Sequence, residues 1–119
     1  MTPQEAYYKA INLGKRIPEL EAIISQNAYW SYYYARDIIK GKFILAEPTI
    51  SKNAEYSYYY AREVIKDRFI LAEPVISKDA RYSFCYALYV IKGKLPDFMH
   101  NRMILSNNKH TKEYIEYIK

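Results

Sequence analysis

The sequence predicts an all-α protein: a short α-solenoid of stacked two-helix repeats, closed by degenerate capping segments at both ends. Three observations predict it. Residues 42–67 match residues 68–93 at 17 of 26 positions and residues 16–41 at 13, and self-similarity at such a period is the mark of a stacked array. Asn27, Asn53 and Asp79 stand at one repeat position, and all are favoured helix N-caps. Fourteen residues later come Gly41, Asp67 and Gly93, residue types that tolerate the left-handed conformation in which many helices end.

The chain reads as one domain of five segments. Residues 1–15 form a half-repeat cap with a single helix over about residues 4–13, with Thr2 as N-cap, Pro3 at the first helical position and Gly14 as the stop. Its Tyr7-Tyr8-Lys9-Ala10 echoes Tyr33-Tyr34-Ala35 with the register disturbed. Three full repeats follow, over 16–41, 42–67 and 68–93. The first helix of repeat one begins at Pro18. In repeats two and three it begins near Leu45 and Leu71, which keeps Pro48 and Pro74 in or near the first turn, where a missing N–H costs nothing. Each ends at Ser25, Ser51 or Ser77 after about two turns, too short to stand without packing. Residues 94–119 are a degenerate capping repeat. There Phe98, Met99, Met103 and Ile104 are candidate core residues, Asn107 or Asn108 caps the last helix, and Tyr114, Ile115 and Ile118 share one face.

At about 100° per residue, Ala28, Ser31, Tyr32, Ala35, Ile38 and Ile39 fall on one arc of the second helix. Their counterparts in the next two repeats define the buried side. Phe84, standing where Tyr32 and Tyr58 stand, implies a buried ring whose hydroxyl is dispensable. Tyr34, Tyr60 and Tyr86 lie at the edge of the arc, with hydroxyls expected to reach water. Lys40, Lys66 and Lys92 suit the negative end of the helix dipole.

The opposite face varies between repeats and is rich in aromatic and basic groups. Tyr33 and Arg36 are three residues apart, as are Tyr59 and Arg62, so each pair is expected to stack on one turn. Tyr29 and Trp30 stand at one end of the stripe; Arg81 replaces Tyr29, and Tyr89 replaces Asp37, in repeat three. Tyr, Trp and Arg are the types enriched in binding hot spots. These eight residues are the candidate partner-binding surface.

Composition excludes several classes. The chain has one cysteine, so no internal disulfide, and this fits a reducing, cytoplasmic setting. No apolar run approaches the ~18 residues of a membrane span, so no membrane role is expected. The net charge of +5 is zero over 16–41 and over 42–67, and +2 over each of 68–93 and 94–119, a weak field for nucleic acid. Glu47 and Glu73 recur near first-turn positions that favour carboxylates. His100 and His110 lack partners at metal-ligand spacing, Cys85 lacks a base, and no phosphate-binding loop is present. No catalytic residue, cofactor or metal is expected, and the chain reads as a non-enzymatic protein.

The motifs Ala46-Glu47-Pro48, Tyr56 to Ala61, Val64-Ile65-Lys66 and the basic junctions 40–43, 66–69 and 92–95 resemble tandem repeats that recur in bacteriophage and giant-virus proteins. The resemblance covers residues 16–95. It implies a viral or phage-derived helical repeat protein that acts in the host cytoplasm, and it carries over no catalytic or binding residue. The reading that follows is a protein-binding module whose partner is a host factor, such as a defence protein, or a viral one. Single-strand nucleic-acid binding through Tyr, Arg and Lys and self-association through the repeat ends are the alternatives.

Overall fold

A computed structural model describes all residues, Met1–Lys119. The chain is all-helical and forms a rod of 48 × 20 × 20 Å. Helix α1 spans Pro3–Leu13 and α2 spans Pro18–Ile24. Helix α3, Ala28–Tyr34, runs on into a π turn at Ala35–Ile39. Helix α4, Glu47–Ile50, is entered through a 3-10 turn at Ile44–Ala46, and α5, Ala54–Tyr60, ends in a π turn at Ala61–Ile65. The third repeat copies this, with a 3-10 turn at Ile70–Ala72, α6 at Glu73–Ile76, α7 at Ala80–Tyr86 and a π turn at Ala87–Ile91. Helices α8, Asp97–Ser106, and α9, Lys109–Ile118, close the rod. Each second helix packs on its own first helix and on the second helices before and after it.

The start signals act as the sequence predicts. Asn27, Asn53 and Asp79 accept the N–H of Trp30, Tyr56 and Tyr82, Thr2 and Glu5 form a reciprocal capping box, and Asn108 caps α9. The repeated serines do more than stay small. Ser31, Ser57 and Ser83 donate to the carbonyls of Ile24, Ile50 and Ile76 at the end of the first helix, and Thr111 does the same for Met103. One hydroxyl therefore ties the two helices of every repeat, and in the three full repeats it bonds a carbonyl that also accepts the N–H of the N-cap residue.

The stop differs from expectation. The left-handed residue is Lys40, Lys66 and Lys92, with φ of 58°, 59° and 62°, and not the Gly41, Asp67 or Gly93 that follows. Each lysine N–H reaches back five residues, at 2.7 Å, to the carbonyl of Ala35, Ala61 or Ala87. The π turn that this bond closes moves the stop by one residue. Gly93 thus has an ordinary φ, and a Cβ there would meet nothing within 4 Å, whereas Gly14 has φ +67°. Gly93→Ala is therefore expected to stabilise by about 0.5 kcal/mol through unfolded-state entropy. Gly14→Ala should cost about 1 kcal/mol in left-handed strain, both read by urea denaturation.

A second correction concerns Tyr34, Tyr60 and Tyr86, which are fully buried rather than edge residues reaching water. Each hydroxyl accepts the backbone N–H that opens its own repeat, from Ile17, Phe43 and Phe69 at 3.0, 2.7 and 2.9 Å. Each donates to the glutamate of the first helix, Glu21, Glu47 or Glu73, at 2.6–2.7 Å. In repeats one and three an arginine completes the lock: Arg16 and Arg68 donate two bonds each to Glu21 and Glu73. The Phe43 and Phe69 rings lie 5.1 Å from Tyr34 and Tyr60 of the preceding repeat. The lock therefore joins helices within a repeat and repeats to each other. Lys42 stands where the arginines stand, and Glu47 receives only Tyr60. Lys42→Arg supplies the missing planar fork and should raise stability by about 0.5–1 kcal/mol, measured by thermal melting.

The ends are finished by substitution in the same positions. Burial aligns Ala6, Tyr7 and Ala10 of α1 with Ser31, Tyr32 and Ala35, so the register is intact and Lys9 occupies the site of Tyr34. Lys9 is exposed there. At the other end Tyr114 takes the place of Tyr86. It accepts the N–H of Leu95 at 3.0 Å and lies 2.7 Å from His100 Nδ1, which replaces the glutamate. Lys112, exposed, falls where Phe84 packs in repeat three. In this cap Met99, Met103 and Tyr114 are buried as expected, while Phe98, Ile104 and Ile115 are exposed. The cap's core is smaller than its apolar sequence suggests.

Candidate aromatic–guanidinium face

The second helices position the site, because their N-caps fix the start and the buried lock fixes the rotation. On their outer side the rings run as a ladder along the rod. Trp30 lies 5.5 Å from Tyr8 and 4.6 Å from Tyr29, Tyr29 lies 4.7 Å from Tyr33, and Tyr29 lies 5.4 Å from Tyr56 in the next repeat. Tyr56 is 5.8 Å from Tyr59, and Tyr59 is 6.3 Å from Tyr82 of repeat three. Such edge-to-face and tilted contacts are each worth ~0.5–1.5 kcal/mol beyond their area. The rings thus brace one another along the rod.

The guanidinium groups lie on this ladder. Arg36 Cζ sits 4.6 Å from the centre of Tyr33, as the spacing predicts. Arg62 does not stack on Tyr59. It sits 4.3 Å from the centre of Tyr89, in the following repeat, and donates to the Tyr58 hydroxyl. Where Leu88 replaces Arg62, Phe84 replaces Tyr58, so donor and acceptor are lost together. Arg81 lies over Tyr82 at 5.3 Å. All eight predicted residues are thus on the outer side, with Tyr29 and Tyr89 39% and 48% exposed and Trp30, Tyr33 and Tyr59 half-buried. The sequence reading missed Tyr8, Tyr56 and Tyr82. Tyr56 and Tyr82 share the repeat position of Trp30, and an aromatic in all three copies was the available signal.

The charge on this face is neutralised locally. Arg36 donates to both oxygens of Asp37, which also accepts from the Tyr7 hydroxyl at 3.1 Å. Burial, then the Asp37 charge and hydrogen bond, push the Tyr7 hydroxyl up to about 12. Arg62 pairs with Glu63 at 3.5 Å. Glu55 accepts from Tyr82 at 2.9 Å and binds two repeats. Burial and this carboxylate hold the Tyr82 hydroxyl well above the usual phenol range. The face offers flat rings and oriented donors, with little net field.

The titrating groups of the lock set the pH range of the scaffold. Burial, then the bond to Glu21, pushes Tyr34 up to about 12 from 10.0; burial and the Glu47 and Glu73 bonds raise Tyr60 and Tyr86 further. Arg16 holds Glu21 below the usual carboxylate range. Burial alone would raise Glu73, but the Arg68 and Tyr86 bonds together outweigh it and lower it. Protonated tyrosine is favoured in the fold, so that stability is full below pH 10 and is lost as pH rises toward the folded values. Ionised glutamate is favoured too, so that part is full above pH 4.5 and lost below it. Melting temperature should therefore form a plateau between these limits. Phenolate absorbance should show a group of tyrosines that ionises only as the helix signal is lost.

No family model, no curated protein and no solved structure matches the chain. No three His, Cys, Asp or Glu side chains are grouped to hold a metal, and no helix is long and apolar enough to cross a membrane.

Proposed function

We propose that the chain is a non-enzymatic protein-binding module that presents the aromatic–guanidinium face of its second helices to a partner polypeptide. The observation that carries this reading is the ladder from Tyr8 to Tyr82, continuous across repeats and left partly exposed on a scaffold whose own buried polar side chains are all satisfied. Rigid rings bury area at small entropic cost, and oriented guanidiniums supply directional bonds. Arg36 and Arg62 already hold carboxylates, which favours a neutral protein surface over a run of phosphates. The resemblance of the repeats to viral and phage arrays makes a host protein the partner of first choice.

The test is affinity capture with the wild-type chain and with a Tyr29→Ala, Tyr33→Ala, Arg36→Ala variant that circular dichroism shows to remain folded. A single polypeptide should be retained by the first and lost by the second, and nuclease treatment should not release it. Equal retention by the two would refute the site. Release by nuclease, with steeply salt-dependent binding to oligo-dT, would place the chain among single-strand binders instead.

A further inference from the structure

The sequence Phe-Ile-Leu-Ala-Glu-Pro is identical in repeats two and three. The structure accounts for four of its six residues. Phe43 and Phe69, with Ala46 and Ala72, are buried; the glutamates bond Tyr60 and Tyr86; the prolines sit in the first turn. The remaining pairs, Ile44-Leu45 and Ile70-Leu71, point outward and are 64%, 58%, 65% and 57% exposed. Most positions that differ between these two repeats lie instead on the second helices. Four aliphatic side chains are thus kept in place with nothing in the molecule to cover them.

The patch has defined ends. At the same repeat positions the first and last repeats carry Pro18-Glu19 and Pro96-Asp97. The apolar pairs are therefore confined to the two central repeats and bounded by a carboxylate on each side. Each pair also follows a basic junction: Lys40 and Lys42 before the first, Lys66 and Arg68 before the second, with Lys92 and Lys94 beyond, all exposed. Asp67 is the one acidic side chain within those junctions. Between repeats one and two, the junction residues Lys40 and Gly41 join Arg36, Glu63 and Lys66 around a cavity of about 270 Å³.

We propose that this edge docks an acidic amphipathic helix of a partner protein, at a site separate from the aromatic face. Adjacent helices in a stack lie ~8–10 Å apart, so successive Ile-Leu pairs repeat at about two turns of an α-helix. A partner helix laid along the rod meets them with aliphatic residues seven apart and sets carboxylates against the lysines. Two repeats accommodate about 14 residues of helix. Charge complementarity selects an acidic partner over a basic one. Glu19 and Asp97 interrupt the line at both ends, which disfavours an extended anionic membrane surface.

The experiment uses the whole chain against a displayed library of helical peptides about 14 residues long. Selection should enrich Leu or Ile at seven-residue spacing flanked by Asp and Glu. Fluorescence polarisation of an enriched peptide should show affinity falling at least about tenfold in Leu45→Ser with Leu71→Ser, given the apolar area removed, and falling also in Lys42→Glu with Lys94→Glu. All four positions are exposed, and melting curves check that the fold is kept. A Tyr29→Ala, Tyr33→Ala variant, which leaves the cavity-lining Arg36 in place, should bind the peptide normally, which separates this site from the aromatic face. The proposal is overturned if no peptide or only basic peptides are enriched, or if the serine variant binds unchanged. It is overturned equally if phosphatidylserine vesicles are bound and peptides are not, or if the patch proves to be covered by a second copy, seen as a dimer that the serine variant abolishes.

Discussion

Ala61→Glu is expected to abolish folding of the rod, with loss of the helix signal at room temperature. Ala61 is fully buried where the second helices stack, and its carbonyl already takes the N–H of Lys66 at 2.7 Å and of Asp67 at 3.3 Å. A carboxylate there has no water and no cation, and its longer stem has no room. Such a change belongs to the class that costs more than about 4 kcal/mol, as much as many small domains possess in total. In a stacked array each repeat depends on its neighbours, so the damage spreads from the centre to both ends. Arg62→Glu, one residue on, makes the contrast. Arg62 is 43% exposed and gives up one hydrogen bond, one stacking contact and its ion pair with Glu63, a loss of about 1–2 kcal/mol. Circular dichroism melts of the two variants decide whether inside and outside are assigned correctly, since similar melts would mean that they are not.

Tyr86→Phe is expected to cost about 2–3 kcal/mol although it removes a single oxygen, because it leaves the buried Phe69 N–H unpaired and takes one bond from Glu73. Glu73 is 1% exposed and Tyr86 fully buried, so no water replaces what is lost. Tyr89→Phe, at a half-exposed ring, should stay within about 0.5 kcal/mol of wild type. Adding Glu73→Gln to Tyr86→Phe should cost less than the two changes separately, since residues in one network are coupled. Denaturation of the four proteins measures that coupling, and strict additivity would mean that the hydroxyl and the carboxylate do not act together.

The N-caps were legible in the sequence because an Asn or Asp side chain accepts a bond only three residues on; that chemistry is local. Gly14 was legible for the same reason. The lysines at positive φ were not, since nothing about Lys advertises that conformation and the glycine beside it does. Tyr34 and its copies were misplaced because a helical wheel sets them at the margin of the buried arc. Only the neighbouring loop and Glu21, thirteen residues away, bring them inside. The spacing of Tyr and Glu in all three repeats was the clue. The face followed the same division. Tyr33 with Arg36 is a contact within one turn and was found, whereas Arg62 over Tyr89 exists only once repeats are stacked. The exposed Ile-Leu pairs sit in a 3-10 turn, where helical periodicity does not assign a face.

The account rests on a division between a locked scaffold and an outward aromatic face that meets a partner. Photo-cross-linking in cells tests that division most directly, with benzoylphenylalanine placed at position 29 or 89 on the face, and at position 9 on the end cap. The account predicts one polypeptide adduct from positions 29 and 89 and none from position 9. Adducts from position 9 alone, or nucleic acid as the only species captured from the face, would contradict it.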